Sequence, residues 1–424
     1  MKRIDLPFGR TTLPLEIDES RLTGVLLSKI HEYEPPMGEN ELVLSAMANP
    51  VGSKTLRELA VGKNKIVLIA SDHTRPVPSK VIVPHMLREI REGNPDADIT
   101  ILIATGCHRG TTRDELVGKF GEEIVANEKI VIHDCDTPDV SYLGKLPSGG
   151  DLIINRLAAE ADLLCSEGFI EPHFFAGFSG GRKSVLPGIA SRTTVLANHC
   201  SKFIASDKAR TGIIDGNPIH EDMIFAAEKA KLAYIVNVVI NAEKKVICAV
   251  AGDVRAAHKA GCDFLNEYCC VKAAPADIAV STNGGYPLDQ NIYQAVKGMT
   301  AGEATVKRNG VIIMCADSSD GHGGQDFYDC FKNEKDLVRM TQKFLDTPQD
   351  KTVPDQWEAQ VFARVLTHAR VVYVSNAPDE MIREMHMTPA HSMDEALKIA
   401  EEILGNPHAT VAVVPDGVSV AVKA

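Results

Sequence analysis

The sequence predicts an α/β protein of two domains, each built on a mainly parallel, doubly wound, Rossmann-like sheet, with an interdomain cleft. Three observations carry this expectation. At 424 residues the chain is longer than one hydrophobic core usually serves. Short β-branched runs recur along it, each bounded by turn residues and followed by a helical pattern, which is how parallel layered sheets are written. A composition of 44% hydrophobic and 24% charged residues belongs to an ordinary globular chain rather than a disordered one.

Strands of the first half are expected over 65–70, 99–105, 130–133, 162–165 and 233–240. After the first strand, Val81, Met86, Leu87 and Ile90 recur at helical spacing. After the second, Thr112-x-x-Glu115 forms a capping box that opens another helix. Both strand-to-helix loops are unusually polar, and ligands of open α/β sheets bind beyond the carboxyl ends of strands. Residues 270–275 follow a helix and precede a fresh strand at 278–281, so the domains divide as 1–270 and 271–424. Strands at 311–315, 371–375 and 410–414 continue the second series. There Ser392-x-x-Glu395 caps a helix from Met393 to Leu404 that stops at Gly405-Asn406-Pro407.

Charge and apolar patterning exclude several function classes. Forty-five Lys+Arg against 57 Asp+Glu leave a net charge of -12, which opposes attraction to nucleic acid or anionic lipid but permits a small anionic ligand in a locally cationic pocket. No apolar stretch reaches membrane-span length, and Met1-Lys2-Arg3-Ile4-Asp5 does not open a signal peptide, so a cytoplasmic protein is expected. The ten cysteines include no C-x-x-C pair and read as reduced core thiols.

The chemistry is concentrated in four segments. Asp72, His73, Thr74 and Arg75 crowd one strand tip, and His108 and Arg109 stand at the next between Gly106 and Gly110. One such histidine is ordinarily structural, whereas adjacent strand tips that both carry one suggest a shared site. The densest segment runs from Glu171 to Ser184. Phe174, Phe175 and Phe178 surround or follow His173, and Gly177, Gly180 and Gly181 lead to Arg182-Lys183. The rings suit water exclusion, and the glycines suit close backbone approach to a phosphate. Gly177 to Ser184 approaches the P-loop pattern, but Arg182 occupies the last glycine position and no strand directly precedes it. Lys183 therefore also reads as a covalent anchor beside a second cation. Ser191 caps a helix carrying His199, an imidazole suited to nickel, zinc or copper but without a spaced second ligand, so a metal there needs a cofactor to complete its coordination. In the second domain Tyr293 and Lys297 share a helix face with Gln294 beside them, a solvated face or a carboxylate clamp opposite Arg75.

These motifs, from 71–78 and Gly106-Cys107-His108-Arg109-Gly110 through Glu171 to Ser184, His199, Tyr293-Gln294 and Lys297, resemble those of the nickel-dependent lactate racemase family. They span both domains in the family's order. The resemblance implies an isomerase that racemises a small 2-hydroxy acid, lactate or else malate or a longer homologue. The Phe174-Phe175 wall favours lactate. It implies nickel held in a pyridinium-3-thioamide-5-thiocarboxylic acid mononucleotide attached at Lys183, with His199 as the protein's nickel ligand and Asp72, His73, Thr74 and Arg75 contacting the cofactor. The cofactor's sulfur arms make a cysteine cluster unnecessary. His108 and His173 become the paired acid/base groups, Arg75, Tyr293, Gln294, Lys297 and Trp357 contact substrate, and cofactor-synthesis proteins supply the nucleotide. Residues 1–270 then form the cofactor-binding, catalytic domain and 271–424 the substrate-clamping one. A pyridoxal-phosphate enzyme using Lys183 and an ATP-binding module at Gly177 to Ser184 are the competing readings.

Overall fold

Apolar β-branched runs assemble, in this computed structural model describing residues 1–423, into two six-stranded sheets. Each sheet belongs to one of two units. The first unit comprises Ile30–Glu171 and Phe175–Glu267. The second comprises Met1–Lys29, Pro172–Phe174 and the stretch from Tyr268 on.

In the first unit the sheet runs, from edge to edge, through Val246–Gly252, Leu232–Ile240, Leu163–Phe169, Lys65–Ser71, Asp98–Ala104 and Lys129–Ile132. Numbered by occurrence along the unit, that is the doubly wound order 3-2-1-4-5-6 read from the far edge, and only the Val246–Gly252 edge is antiparallel. The order reverses between Lys65–Ser71 and Leu163–Phe169. Connections leave the sheet in opposite directions there, and sheets of this order bind ligands beyond the carboxyl ends of such strands. The expected helix after the first strand forms over Ser79–Gly93 and turns Ile82, Val83, Met86, Leu87 and Ile90 into the core. Each such side chain contributes about 1.5–3 kcal/mol on burial. Thr112 accepts from the Glu115 amide and the Glu115 side chain reaches back, so the capping box forms as its spacing requires.

The second unit's sheet is parallel throughout: Thr388–Ala390, Arg370–Val374, Val306–Cys315, Ala276–Thr282, Val411–Val414 and Leu22–Val25. Its order reverses between Ala276–Thr282 and Val411–Val414, and the loop after Ala276–Thr282 leads to the helix Ile292–Glu303. Ser392 caps Met393–Leu404, and Gly405 ends that helix in a left-handed conformation at φ +62°.

The expected division into 1–270 and 271–424 differs from this at the amino terminus. Lys2–Phe8 and Thr11–Ile17 form an antiparallel hairpin whose Leu6, Phe8, Leu15 and Ile17 join the core of the second sheet, and Leu22–Val25 extends that sheet beside Val411–Val414. Residues 1–29 are bound to the second unit by burial and by backbone pairing, neither of which local periodicity reveals.

Candidate functional site

The polar loops of the first unit leave the carboxyl ends of Lys65–Ser71, which flanks its switch point, and of the neighbouring strand Asp98–Ala104. Asp72, one residue beyond Lys65–Ser71, is 2% exposed. Its carboxylate accepts from the Thr74 hydroxyl at 2.7 Å and from His108 Nδ1 at 2.8 Å. A carboxylate only accepts, so Nδ1 carries the proton and Nε2 is the basic nitrogen of His108. Burial alone raises the Asp72 carboxyl, but hydrogen bonds from His108 and Thr74 and the charge of Arg75 hold it below its usual range. An imidazole held by a buried carboxylate through Nδ1, with its side chain 43% exposed, has the arrangement of a general base. His73 turns elsewhere, with Nδ1 3.1 Å from the Thr111 hydroxyl. Arg75 is exposed and donates to Thr74 at 3.3 Å.

Across the switch point, Leu163–Phe169 is wholly buried yet contains Glu167. Its Oε1 accepts from the Ser71 amide at 2.8 Å, the Ser71 hydroxyl at 2.9 Å and the Ser79 hydroxyl at 3.1 Å. Glu167 thus ties the start of the Asp72 turn to the neighbouring strand. Sequence reasoning passed over it, although an acid inside an apolar strand was a visible signal.

Lys183, Phe175 and His199 meet in the same unit. The Lys183 ammonium lies 5.7 Å from the centre of the Phe175 ring, and the His199 ring meets that ring edge-on at 5.3 Å. His199 caps the carboxyl end of Arg192–Asn198, and its Nδ1 donates to the Val195 carbonyl at 3.1 Å. Burial, with the Lys183 charge, pushes its pKa down to about 3. The result is a neutral imidazole with its lone pair on Nε2, the form that ligates a metal. Among the described residues the one cluster of three metal-ligating side chains is Asp134, Cys135 and Asp136, which excludes His199. His199 therefore suits a group that brings its own remaining donors, and Lys183 suits an anchor for it.

The glycine-rich loop differs from the expected phosphate cradle. The Gly181 amide donates to Asn237 Oδ1 at 2.6 Å, that of Ser179 to the Glu171 carbonyl at 2.9 Å and that of Lys183 to the Gly180 carbonyl at 3.1 Å. Gly180 has φ +74°, and a Cβ there would stand 2.7 Å from the Phe169 carbonyl oxygen. The glycines admit protein backbone rather than a ligand, which removes the basis for the ATP-loop reading. Arg182 is fully buried and donates to the carbonyls of Ala176 and Phe178, both at 2.8 Å. It staples the loop from within.

The second unit holds the remaining expected residues. His173 stacks on Phe174 with centroids 5.1 Å apart. Tyr293 donates to Asp355 Oδ1 and Lys297 to Gln294 Oε1, each at 2.8 Å, and Trp357 hydrogen-bonds Tyr293. Asp355 and Glu358 were not anticipated. Glu358 falls on the same apolar stripe as Val361, Phe362 and Val365, where a carboxylate is out of pattern.

His108 oriented by Asp72 at a strand tip of a doubly wound sheet, with Lys183 acting on the neutral His199 in the same unit, marks the candidate site of an α/β enzyme. The model of the lactate racemase N-terminal domain matches residues 8–212, and that of the lactate racemase C-terminal domain matches 271–422. Curated proteins named lactate racemase from Thermoanaerobacterium thermosaccharolyticum and Lactiplantibacillus plantarum are 54% and 55% identical, over 100% of this chain and of each relative. The solved structure of the Thermoanaerobacterium lactate racemase apoprotein superposes with a TM-score of 0.96 at 53% identity over 100% of both chains. A Thermotoga maritima crystal structure shares the fold, with a TM-score of 0.63 at 21% identity, covering 92% of this chain and 100% of that one. The chain belongs to the lactate racemase family and is an isomerase, a racemase.

Proposed function

We propose that this enzyme interconverts D- and L-lactate with a nickel pincer nucleotide attached at Lys183 and ligated by His199. The observation that carries the reading is the neutral His199 imidazole placed with Lys183 about the Phe175 ring, where no cluster of three metal-ligating side chains forms among the described residues. Full-length identity of 54% and 55% to proteins named lactate racemase supports lactate over malate or a longer 2-hydroxy acid.

Inverting a 2-hydroxy acid requires loss of the hydroxyl proton and of the α-hydrogen, then return of the hydrogen to the opposite face of a planar 2-keto acid. The nucleotide, when bound, supplies the hydride acceptor that no side chain offers. His108 Nε2 takes the hydroxyl proton of one enantiomer, with the imidazolium stabilised by Asp72. His173 does so for the other, because mirror-image substrates held by carboxylate and α-hydrogen present their hydroxyls on opposite sides. Arg75 and Lys297 hold the carboxylate, Tyr293, Gln294 and Trp357 complete substrate contact, and Asp72, His73, Thr74 and Arg75 form the cofactor-facing turn. Proteins that synthesise the nucleotide are required partners.

Enzyme from its native cells, or made alongside the synthesis proteins, is to be weighed intact and assayed for nickel and for racemisation of lactate and malate. We expect added mass at Lys183, bound nickel and faster turnover of lactate. His199→Ala should keep the added mass but lose nickel. A fully active enzyme without nickel and unmodified at Lys183 would overturn the assignment.

A further inference from the structure

In the second unit the helix Ile292–Glu303 and the start of the helix Gln356–His368 gather Tyr293, Gln294, Lys297, Asp355, Trp357 and Glu358. Glu358 is the member without an evident structural task. It is 2% exposed, and its Oε1 has no hydrogen-bond partner among the described residues. A buried glutamate is rare unless paired or hydrogen-bonded. Asp355, which opens the same helix, holds φ +61°, a left-handed conformation that a non-glycine residue keeps only where its surroundings impose it and that clusters at functional sites.

The charged groups acting on Glu358 are Lys297 and Asp355, with Tyr293 as the further titratable neighbour. The other helices packed against Gln356–His368 turn Phe327, Phe331, Met340 and Phe344 inward. Farther along, Arg364 is matched by Glu303 at 2.7 Å. Burial pushes the Glu358 carboxyl up to about 8, against the pull of Lys297. At neutral pH Glu358 is thus a buried carboxylic acid on a helix packed against the one that carries Lys297, the lysine assigned to substrate.

We propose that Glu358 is a positioning residue that acts through Lys297: neutral, it leaves the ammonium charge to an incoming substrate carboxylate, and ionised, it competes for that charge. The proposal rests on the assignment of Tyr293, Gln294, Lys297 and Trp357 to substrate. Its sign follows from linkage. The group is raised, so it is protonated below about pH 8. A bound carboxylate tightens its hold on that proton, and binding therefore weakens as pH rises through its range.

The test uses the loaded holoenzyme, with KM and kcat followed from pH 7 to pH 9.5 and proton exchange on lactate binding measured by calorimetry in buffers of different ionisation heat. The wild type should show KM rising severalfold between about pH 8 and pH 9 with kcat changing less, and should take up a proton on binding at about pH 8.5. Glu358→Gln, equal in shape and permanently neutral, should flatten that rise and abolish the uptake. A wild-type KM that is flat over this range overturns the proposal, even if the variant does not fold. A Glu358→Gln profile matching the wild type also overturns it. Lys297→Ala separates the two layers. If it leaves KM unchanged, the clamp assignment itself fails. If it raises KM manyfold while Glu358→Gln behaves as wild type, the clamp stands and Glu358 has no part in it.

Discussion

Replacing Asp72 by Asn tests the first unit's site most directly. The substitution keeps volume and burial but removes the charge that His108 Nδ1 meets at 2.8 Å and that the Thr74 hydroxyl meets at 2.7 Å. A hydrogen bond to a charged group is worth about 1.5–3 kcal/mol, and tenfold in rate is about 1.36 kcal/mol, so loss of that bond alone slows the reaction roughly 10- to 150-fold. The amide can also offer its NH2 to Nδ1, which places the ring proton on Nε2 and removes the base. In the serine-protease triad the equivalent change costs about ten-thousandfold. We therefore expect a fall of about two to four orders of magnitude. The two lactate enantiomers are equally stable, so kcat/KM must fall by the same factor in both directions. Racemisation is followed by chiral chromatography from each pure enantiomer, with mass at Lys183 and nickel content measured on the same sample to establish loading. An Asn variant that is fully loaded and turns over at the wild-type rate would refute the orienting role of Asp72.

Acid stability offers a further check. Burial pushes His199 and His220 each down to about 3, and His258 well below its ordinary value, so all three are neutral when folded and protonate on unfolding below about 6.5. Their contribution is complete above about pH 6.5 and is lost as pH falls toward about 3, at up to about 1.4 kcal/mol per pH unit for each histidine. The melting temperature of the cofactor-free protein should drop steadily from pH 7 to pH 5, and a flat profile would contradict their burial. Gly180→Ala meets the Phe169 carbonyl oxygen at 2.7 Å and adopts φ +74°, so it should destabilise by about 1–3 kcal/mol in denaturant melts. A loss of less than about 0.5 kcal/mol would show that the loop relaxes.

Much of this was legible in the sequence where local physics decides. Lys65–Ser71 and Asp98–Ala104 announce themselves because β-branched runs end abruptly in polar tips, and those tips carry Asp72 and His108. The amino-terminal hairpin was not legible. Pro7 and Pro14 interrupt its strands, and its stabilising partners lie in the sheet around Val411–Val414, beyond any local window. The glycines near Lys183 were visible but misread. Their spacing approaches a phosphate loop except at Arg182, and the carbonyl of Phe169 and the side-chain amide of Asn237 show that protein fills the space. Glu167 and Glu358 were passed over although each is an acid on an apolar stripe, and what each acts upon depends on a neighbouring element. Arg182 was read as a second cation beside Lys183, and its guanidinium donates to carbonyls of its own loop.

The attachment of residues 1–29 to the later unit governs how the molecule can be made and divided. On the ribosome the hairpin emerges long before the strands that cover Leu6 and Leu15 exist, so its apolar face must wait uncovered, or chaperoned, until the end of synthesis. A cut at the expected boundary between residues 270 and 271 would strand that face permanently. Anyone dissecting the enzyme should graft the leading segment onto the trailing half, and a fragment beginning at residue 271 should aggregate where the grafted one dissolves.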